Sequence, residues 1–360
     1  MRAQGLLSVA KARLFAIPTP VSVGYELTHL CNLSCGYCDR HRPMAKEMTL
    51  DQILVALDGL KRLGMREISL DGGEALAHRN IEAISEWLEC NGIVTRLNTN
   101  GILVARRTAV VKRCAKVKIS LDGPESVHDA ARGPGAYHRA INGALVAREL
   151  GVPIEFTCVL GRHNAHAVDA LMEIANRLEI GVVFQPARDS LFLDAHLEKS
   201  RYRLTTLELR RALLQVEHHK RSGSRVANHW SSLRHFRSFP KDKALPCAAG
   251  WINLTIDPEG TLYHCGQTSR VDRSCNVVEL GVPAAFARLT RARCSQCWCA
   301  RVVEENYAWG GRLDRFLPLS DAPSLPPPQQ GVGARRRLPL VESKGPAVQL
   351  GRINTSAPGL

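Results

Sequence analysis

Between residues 21 and 225 two apolar patterns alternate along the chain. Short apolar runs at 21–28, 67–71, 93–98, 117–121, 154–159 and 181–184, bounded by turn residues, read as buried parallel strands. Between them apolar positions recur at helical spacing over 49–63, 78–91, 106–114, 137–150 and 163–178, and again over 205–220. Thr49 stands where an N-cap belongs. Strands alternating with helices predict an α/β fold, a parallel sheet with helices outside, in a core spanning 21–225. Alternation does not separate an open sheet from a barrel. A lead of 1–20 precedes the core, with one helix over Leu6–Phe15 stopped by Pro18 and Pro20.

The pattern changes after residue 225. Residues 226–246, rich in His, Arg, Ser and Pro, read as a bridge. Residues 247–317 form a small cysteine-rich unit, in which Trp251–Ile256 and Thr261–Cys265 are two strands joined by the turn Asp257-Pro258-Glu259-Gly260. From 318 to 360 Pro, Gly, Gln and Ser replace periodicity, which predicts a disordered tail.

Composition narrows the class. The 360 residues are 45% hydrophobic, enough to bury a large core, and no run of about 18 apolar residues offers a membrane span. The basic N-terminus has no apolar core followed by a small-residue cleavage site, so no signal peptide is read. Nine of the twelve cysteines fall in or near two ligand-like groups, which fits metal binding in a reducing cytoplasm better than a disulfide framework. The net charge of +14 admits a nucleic-acid partner, but Lys and Arg are spread out and the densest run, Arg335–Arg337, lies in the tail. A solvated basic surface is the favoured reading, without nucleic acid.

The chemistry centres on Cys31-Asn32-Leu33-Ser34-Cys35-Gly36-Tyr37-Cys38, placed after the first strand. Thiolates at this spacing converge on one object from a loop wrapped around it. A structural zinc site needs a fourth ligand, for which His41 is the local candidate. An iron–sulfur cube held by three thiolates leaves one iron open to another ligand. The octet resembles the signature of the radical S-adenosylmethionine (SAM) superfamily: C-x3-C-x2-C with an aromatic residue before the third cysteine. The resemblance implies a partial (β/α)6 barrel in which Cys31, Cys35 and Cys38 hold a 4Fe–4S cluster. The amino and carboxylate groups of SAM would chelate the fourth iron, and Tyr37 would lie against the adenine side.

Further stretches follow in family order. Gly72-Gly73-Glu74, after strand two, resembles the Gly-Gly-Glu motif whose edge receives the SAM ammonium, with Ala75 where a proline is usual. Adjacent glycines let backbone approach a ligand closely. Asn98 and Asn100 end strand three, and Ser120 and Asp122 end strand four. The resemblance sets Ser120 and Asp122 toward the SAM ribose or carboxylate and the asparagines in its surroundings. Helix caps and turns are the alternative for all four. Arg132, in the stretch His128-Asp129 to Arg132-Gly133, is a substrate-side carboxylate partner or a surface salt bridge. Thr157-Cys158-Val159, Arg162-His163-Asn164 and Gln185-Pro186 are expected on the substrate side. Gln185, costly to bury without a partner, is a substrate-contact candidate. Cys90, Cys114 and Cys158 are expected to be core thiols. No catalytic side chain is assigned.

In the second unit Cys247, Gly260, Cys265 and the later Cys294-Ser295-Gln296-Cys297-Trp298-Cys299 resemble the twitch and SPASM extensions of radical SAM enzymes. The short pattern fits twitch better, implying one auxiliary 4Fe–4S cluster on Cys247, Cys265, Cys294 and Cys297. Cys299 is a substitute ligand and Cys275 is not placed. A zinc ribbon is the alternative.

The resemblance implies an enzyme. A one-electron reductant such as flavodoxin or ferredoxin reduces the cluster, SAM is cleaved to a 5′-deoxyadenosyl radical, and the radical takes hydrogen from a substrate carbon. The expected substrate is a small metabolite of sugar, cyclitol or nucleoside type, oxidised or rearranged in biosynthesis. That preference rests on the leader-peptide-binding domain that peptide-modifying relatives often carry, which 20 residues before strand one do not hold. The alternative within the family is a maturase acting on a ribosomal precursor peptide. A different class, a basic zinc protein that binds nucleic acid, accounts for the charge but not for Cys31–Cys38 or Gly72-Gly73.

Overall fold

The computed structural model describes residues 3–38, 46–187, 201–238, 245, 247–266, 273–289, 297 and 299–309. The chain divides into two compact units, Met1–Asp321 and Ala322–Leu360, and every described residue belongs to the first. His41, Cys294 and the predicted tail lie outside the described residues.

The lead forms α1 (Ala3–Leu14). Then β1 (Ser22–Glu26), α2 (Leu50–Arg62), β2 (Glu67–Asp71), α3 (Ile81–Cys90), β3 (Val94–Thr99), α4 (Thr108–Lys112) and β4 (Lys116–Ser120) alternate. Two helices, α5 (Glu125–Arg132) and α6 (Ala136–Glu149), precede β5 (Ile154–Leu160), which leads through α7 (Val168–Leu178) to β6 (Gly181–Pro186). Beyond these come α8 (Thr206–Arg221), α9 (Trp230–Ser238), β7 (Asn253–Ile256), β8 (Leu262–Tyr263), α10 (Val277–Leu280), α11 (Val282–Arg288) and α12 (Ala300–Trp309). The sheet order is β6-β5-β4-β3-β2-β1-β7-β8; β1 to β6 pair in parallel in sequence order, the partial barrel of an α/β fold.

Local chemistry sets these elements. Thr49 caps α2 through a reciprocal pair: its hydroxyl accepts from the Gln52 N–H and the Gln52 side chain accepts from the Thr49 N–H. Ile53, Ala56, Leu57 and Leu60 then bury one face. Thr205 and Glu208 repeat the device at α8.

The two faces of the sheet differ sharply. Val23, Tyr25, Ile68, Leu70, Leu97, Val117, Ile119 and Phe156 pack beneath the helices in one core. On the inner face the register aligns Ser22 with Glu67 and Asn253, Gly24 with Ser69 and Thr255, and Glu26 with Asp71. Runs read as apolar throughout therefore alternate, because the barrel lumen is polar. Across its floor Arg96 pairs with Glu67 at 3.0 Å.

Four features depart from the sequence reading. Helix α5 was not expected; it carries His128 and Arg132. The expected helix at 106–114 shrinks to α4. The 251–265 hairpin does not stand apart: β7 pairs in parallel with β1 and covers an edge that would otherwise be open, and β8 pairs antiparallel outside it. The unpredicted α12 crosses the open side of the barrel. Its first N–H, at Ala300, donates to Gln185 Oε1 of β6 at 2.6 Å, and its Glu305 accepts from Ser22 of β1 and Asn253 of β7.

Candidate active site

The cysteine loop leaves the C-terminal end of β1, and the exit of β2 runs directly against its approach. The Gly73 N–H donates to Thr28 O and the Glu74 N–H to Leu30 O, each at 2.7 Å. Gly72 has φ +128°, and a Cβ there would lie 2.6 Å from Thr28 O; at Gly73 it would lie 2.3 Å from Leu30 O. The glycine pair is thus required by a main-chain crossing as well as by any ligand.

Cys31, Cys35 and Cys38 line a cavity of about 200 Å3. Tyr37, Gly72, Gly73, Asn98, Asn100 and Ser120 complete much of its wall, with Arg132 on one side. The positions singled out at the ends of the first four strands are therefore brought together, with two exceptions. Glu74 is buried, and both its oxygens serve the end of β3: Oε1 accepts from Thr99 Oγ1 at 2.8 Å and Oε2 from the Asn100 N–H at 2.8 Å. Burial is the main reason its carboxyl is pushed up to about 6. Asp122 is also turned inward. Its Oδ2 accepts from Tyr37 at 2.7 Å and from Arg132 Nε at 2.6 Å, and its Oδ1 accepts from the Val159 N–H at 2.9 Å. Neither acid is free to meet an ammonium or a ribose as the motif reading had it; both position the groups that line the cavity.

Asn100 ties the loop to β3, donating to Asn32 Oδ1 at 2.7 Å, while Asn98 donates to Ser69 Oγ at 3.0 Å. Arg132 is no surface residue. Its side chain is 7% exposed, and its guanidinium lies 5.4 Å over the Tyr37 ring. Burial pushes the Asp122 carboxyl up, but the Arg132 charge and the bonds from Arg132 and Tyr37 outweigh it and hold the carboxyl below the usual range. Burial lowers His128 to about 4, so its neutral ring accepts the Asp122 N–H on Nδ1 at 3.1 Å.

The thiols suit a metal cluster. Burial pushes Cys35 up to about 11, so a thiolate forms there only with a positive partner, and metal ligation supplies one. Among the described residues no three His, Cys, Asp or Glu side chains crowd close enough to share one ion. A cube distributes its thiolates over separate irons, and three cysteines around a common cavity fit that arrangement.

A second cavity, of about 230 Å3, shares Tyr37, Asp71 and Val159 with the first. Its wall includes Glu26, Ser69, Gln185, Thr255, Cys299 and Arg301. Gln185 lies there as expected, but its oxygen caps α12. Arg301 binds Glu305 at 2.9 Å, and Gly24 lets the guanidinium pack on β1, since a Cβ there would stand 3.0 Å from Nη2. Asp71 and Arg301 were missed. Asp71 was visible as a carboxylate directly before the glycines, and Arg301 as the i,i+4 partner of Glu305.

The second cysteine group is only partly described. Cys247, Cys265, Cys297 and Cys299 are half-buried, with Cys299 and Gly266, next to Cys265, both on the wall of the larger cavity. Cys275 is buried under the hairpin, where its carbonyl accepts from the Leu262 N–H. Cys114 and Cys158 are buried, whereas Cys90 is exposed rather than a core thiol. Among the described residues no helix is long and apolar enough to cross a membrane.

Comparison with known proteins agrees with this geometry. The family model described as "Radical SAM superfamily" matches residues 25–175, from β1 into α7. The PqqA peptide cyclase of Rhodopseudomonas palustris is 25% identical over 337 residues, covering 88% of each chain. The mycofactocin maturase MftC of Mycolicibacterium smegmatis is 25% identical over 265 residues, 69% of this chain and 65% of that one. The solved structure of anSMEcpe with bound AdoMet superposes with a TM-score of 0.61 at 16% identity, over 81% of this chain and 97% of that one, a likeness of fold. Residues 25–175 carry the radical SAM domain, and the chain is a radical SAM enzyme.

Proposed function

We propose that this enzyme matures a peptide substrate by radical chemistry. The observation that carries the reading is the length of the similarity to the PqqA peptide cyclase: it covers 88% of this chain, far past the matched radical SAM domain at 25–175. It therefore takes in residues that wall the larger cavity. This favours the peptide alternative over the sugar, cyclitol or nucleoside expected from the short N-terminal lead. The zinc-protein reading falls with membership of the superfamily.

Membership implies SAM and a 4Fe–4S cluster, which together supply, when bound, a reductively generated 5′-deoxyadenosyl radical that abstracts hydrogen. We assign the cluster to Cys31, Cys35 and Cys38, and SAM to the smaller cavity, where Gly72, Gly73, Asn98, Asn100 and Ser120 offer main-chain and short polar contacts. Tyr37, Asp71 and Val159 form the wall common to both cavities, so a substrate carbon in the larger one faces the SAM chamber across them. Ser69, Thr255, Gln185 and Arg301 provide donors and acceptors along the larger cavity, as a peptide main chain requires. Helix α12 closes the open barrel side and keeps water from the reacting carbon. Cys247, Cys265, Cys294 and Cys297 are assigned to an auxiliary cluster, with Cys299 at the substrate wall, and flavodoxin or ferredoxin to the supply of electrons.

The test incubates the anaerobically reconstituted chain with SAM, dithionite and short peptides encoded beside its own gene. One peptide should stimulate 5′-deoxyadenosine formation and lose hydrogen in the mass spectrum. A small metabolite altered in place of every peptide would refute the reading.

A further inference from the structure

Arg132 is a cation buried against the cysteine loop, with no counterpart among the groups assigned above to SAM or substrate. It closes α5, and the carbonyl of the preceding residue, Ala131, accepts the Gly36 N–H at 3.0 Å, joining the helix end to the middle of the loop. Its guanidinium is fixed on two sides, by the 2.6 Å ion pair to Asp122 and by the Tyr37 ring 5.4 Å away. Tyr37 in turn donates to the same Asp122 oxygen at 2.7 Å. Arg132 also opens onto the cavity walled by Cys31, Cys35 and Cys38. Lone surface arginines reorient freely; this one is held in one place by two partners.

We propose that Arg132 sets the reduction potential of the cluster, acting as the fixed positive charge beside the cysteine loop that stabilises the reduced state. The inference rests on assigning the cluster to Cys31, Cys35 and Cys38. The step is the entry of one electron from an external donor; no bond forms or breaks and no proton moves. A cube bearing three thiolates gains negative charge on reduction, so a nearby cation favours the reduced form, more strongly where water is excluded. Asp122 carries the opposing charge, bound to Arg132 at 2.6 Å. Arg132 lies on the wall of the cavity lined by Cys31, Cys35 and Cys38, whereas Asp122 is not part of that wall. Glu74, buried and bonded through its N–H to Leu30 O beside Cys31, is a facing group of opposite sign. His128 is neutral through burial and adds no charge near pH 7. With Arg132 on the cavity wall and its partner Asp122 off it, the ion pair is a dipole with its positive end toward the cysteines.

The experiment is an EPR-monitored redox titration of the full chain, reconstituted with iron and sulfide, with SAM omitted so that SAM binding does not enter. At the potential where the wild type is half reduced, Arg132→Gln should lower the ratio of reduced to oxidised cluster about tenfold, equal to about 59 mV for a one-electron couple. Arg132→Lys keeps the charge and should recover most of the shift, which a purely steric role for the guanidinium would not allow. Asp122→Asn should move the ratio the other way. An Arg132→Gln variant with full iron at the wild-type potential would overturn the proposal, as would an unmoved Asp122→Asn. Loss of the cluster from both variants would overturn it too, leaving the pair a role in assembly alone. A wild type that takes up no iron would instead overturn the cluster assignment, and the proposal with it.

Discussion

Alanine at position 73 places a methyl group where the chain has no room. The new Cβ would lie 2.3 Å from Leu30 O, 2.7 Å from Leu30 C and 2.8 Å from His29 O. All three are main-chain atoms, so no rotamer change relieves the clash; the backbone at 29–31 has to move. That movement breaks the Gly73 N–H bond to Thr28 O and the Glu74 N–H bond to Leu30 O, both at 2.7 Å. Overpacking costs about 1–3 kcal/mol and two lost hydrogen bonds about 0.5–1.5 kcal/mol each, so Gly73→Ala should destabilise the apo-protein by about 2–6 kcal/mol. Urea unfolding under anaerobic, reducing conditions reads the loss, and iron uptake reads the displacement of Cys31. Gly92→Ala is the control: nothing lies within 4 Å of its added methyl, and its φ of +67° costs backbone strain alone, about 1–2 kcal/mol. Iron uptake should survive in the control and fall at position 73. A Gly73→Ala protein within about 0.5 kcal/mol of wild type, binding full iron, would refute the crossing as the reason for the glycine pair.

Glu305→Ala strands Arg301 in the lumen and should cost about 3 kcal/mol in urea unfolding, with the double variant Arg301→Met/Glu305→Met recovering part of it; equal losses would refute the pairing. Glu74, raised from 4.5 to about 6 chiefly by burial, binds its proton more tightly folded than unfolded, so its contribution is fully present below about pH 4.5 and lost as pH rises through 6. The stability difference between wild type and Glu74→Gln should accordingly change by about 2 kcal/mol between pH 4 and pH 7, and a pH-independent difference would contradict the burial argument. Cys294→Ala with Cys297→Ala should remove about four irons per chain while SAM binding at the first cluster persists; full iron retention would transfer the ligand roles to Cys275 or Cys299.

The barrel was legible because each strand carries an unbroken apolar face for the helices, as Val23, Ile68, Val117 and Phe156 do. Its inner face was read less well. Ser22, Glu67, Arg96 and Asn253 look like interruptions in sequence, yet they meet in a lumen that only the assembled sheet creates. The cysteine loop, the glycine pair and the strand-end residues were legible by order and spacing. The roles of Glu74 and Asp122 were not, because a motif position does not show whether a carboxylate faces a ligand or a neighbouring turn. Hairpin placement needed knowledge of the open β1 edge, and α12 was hidden among the cysteines, where Arg301 and Glu305 were its remaining helical signal.

The central claim is that Cys31, Cys35 and Cys38 hold the cluster that cleaves SAM. Anaerobic reconstitution of the full chain with SAM and dithionite, followed by mass spectrometry for 5′-deoxyadenosine, tests it most directly. The wild type should form 5′-deoxyadenosine, and the triple variant Cys31→Ala/Cys35→Ala/Cys38→Ala, with its circular dichroism unchanged, should form none. Equal formation by the triple variant would contradict the account.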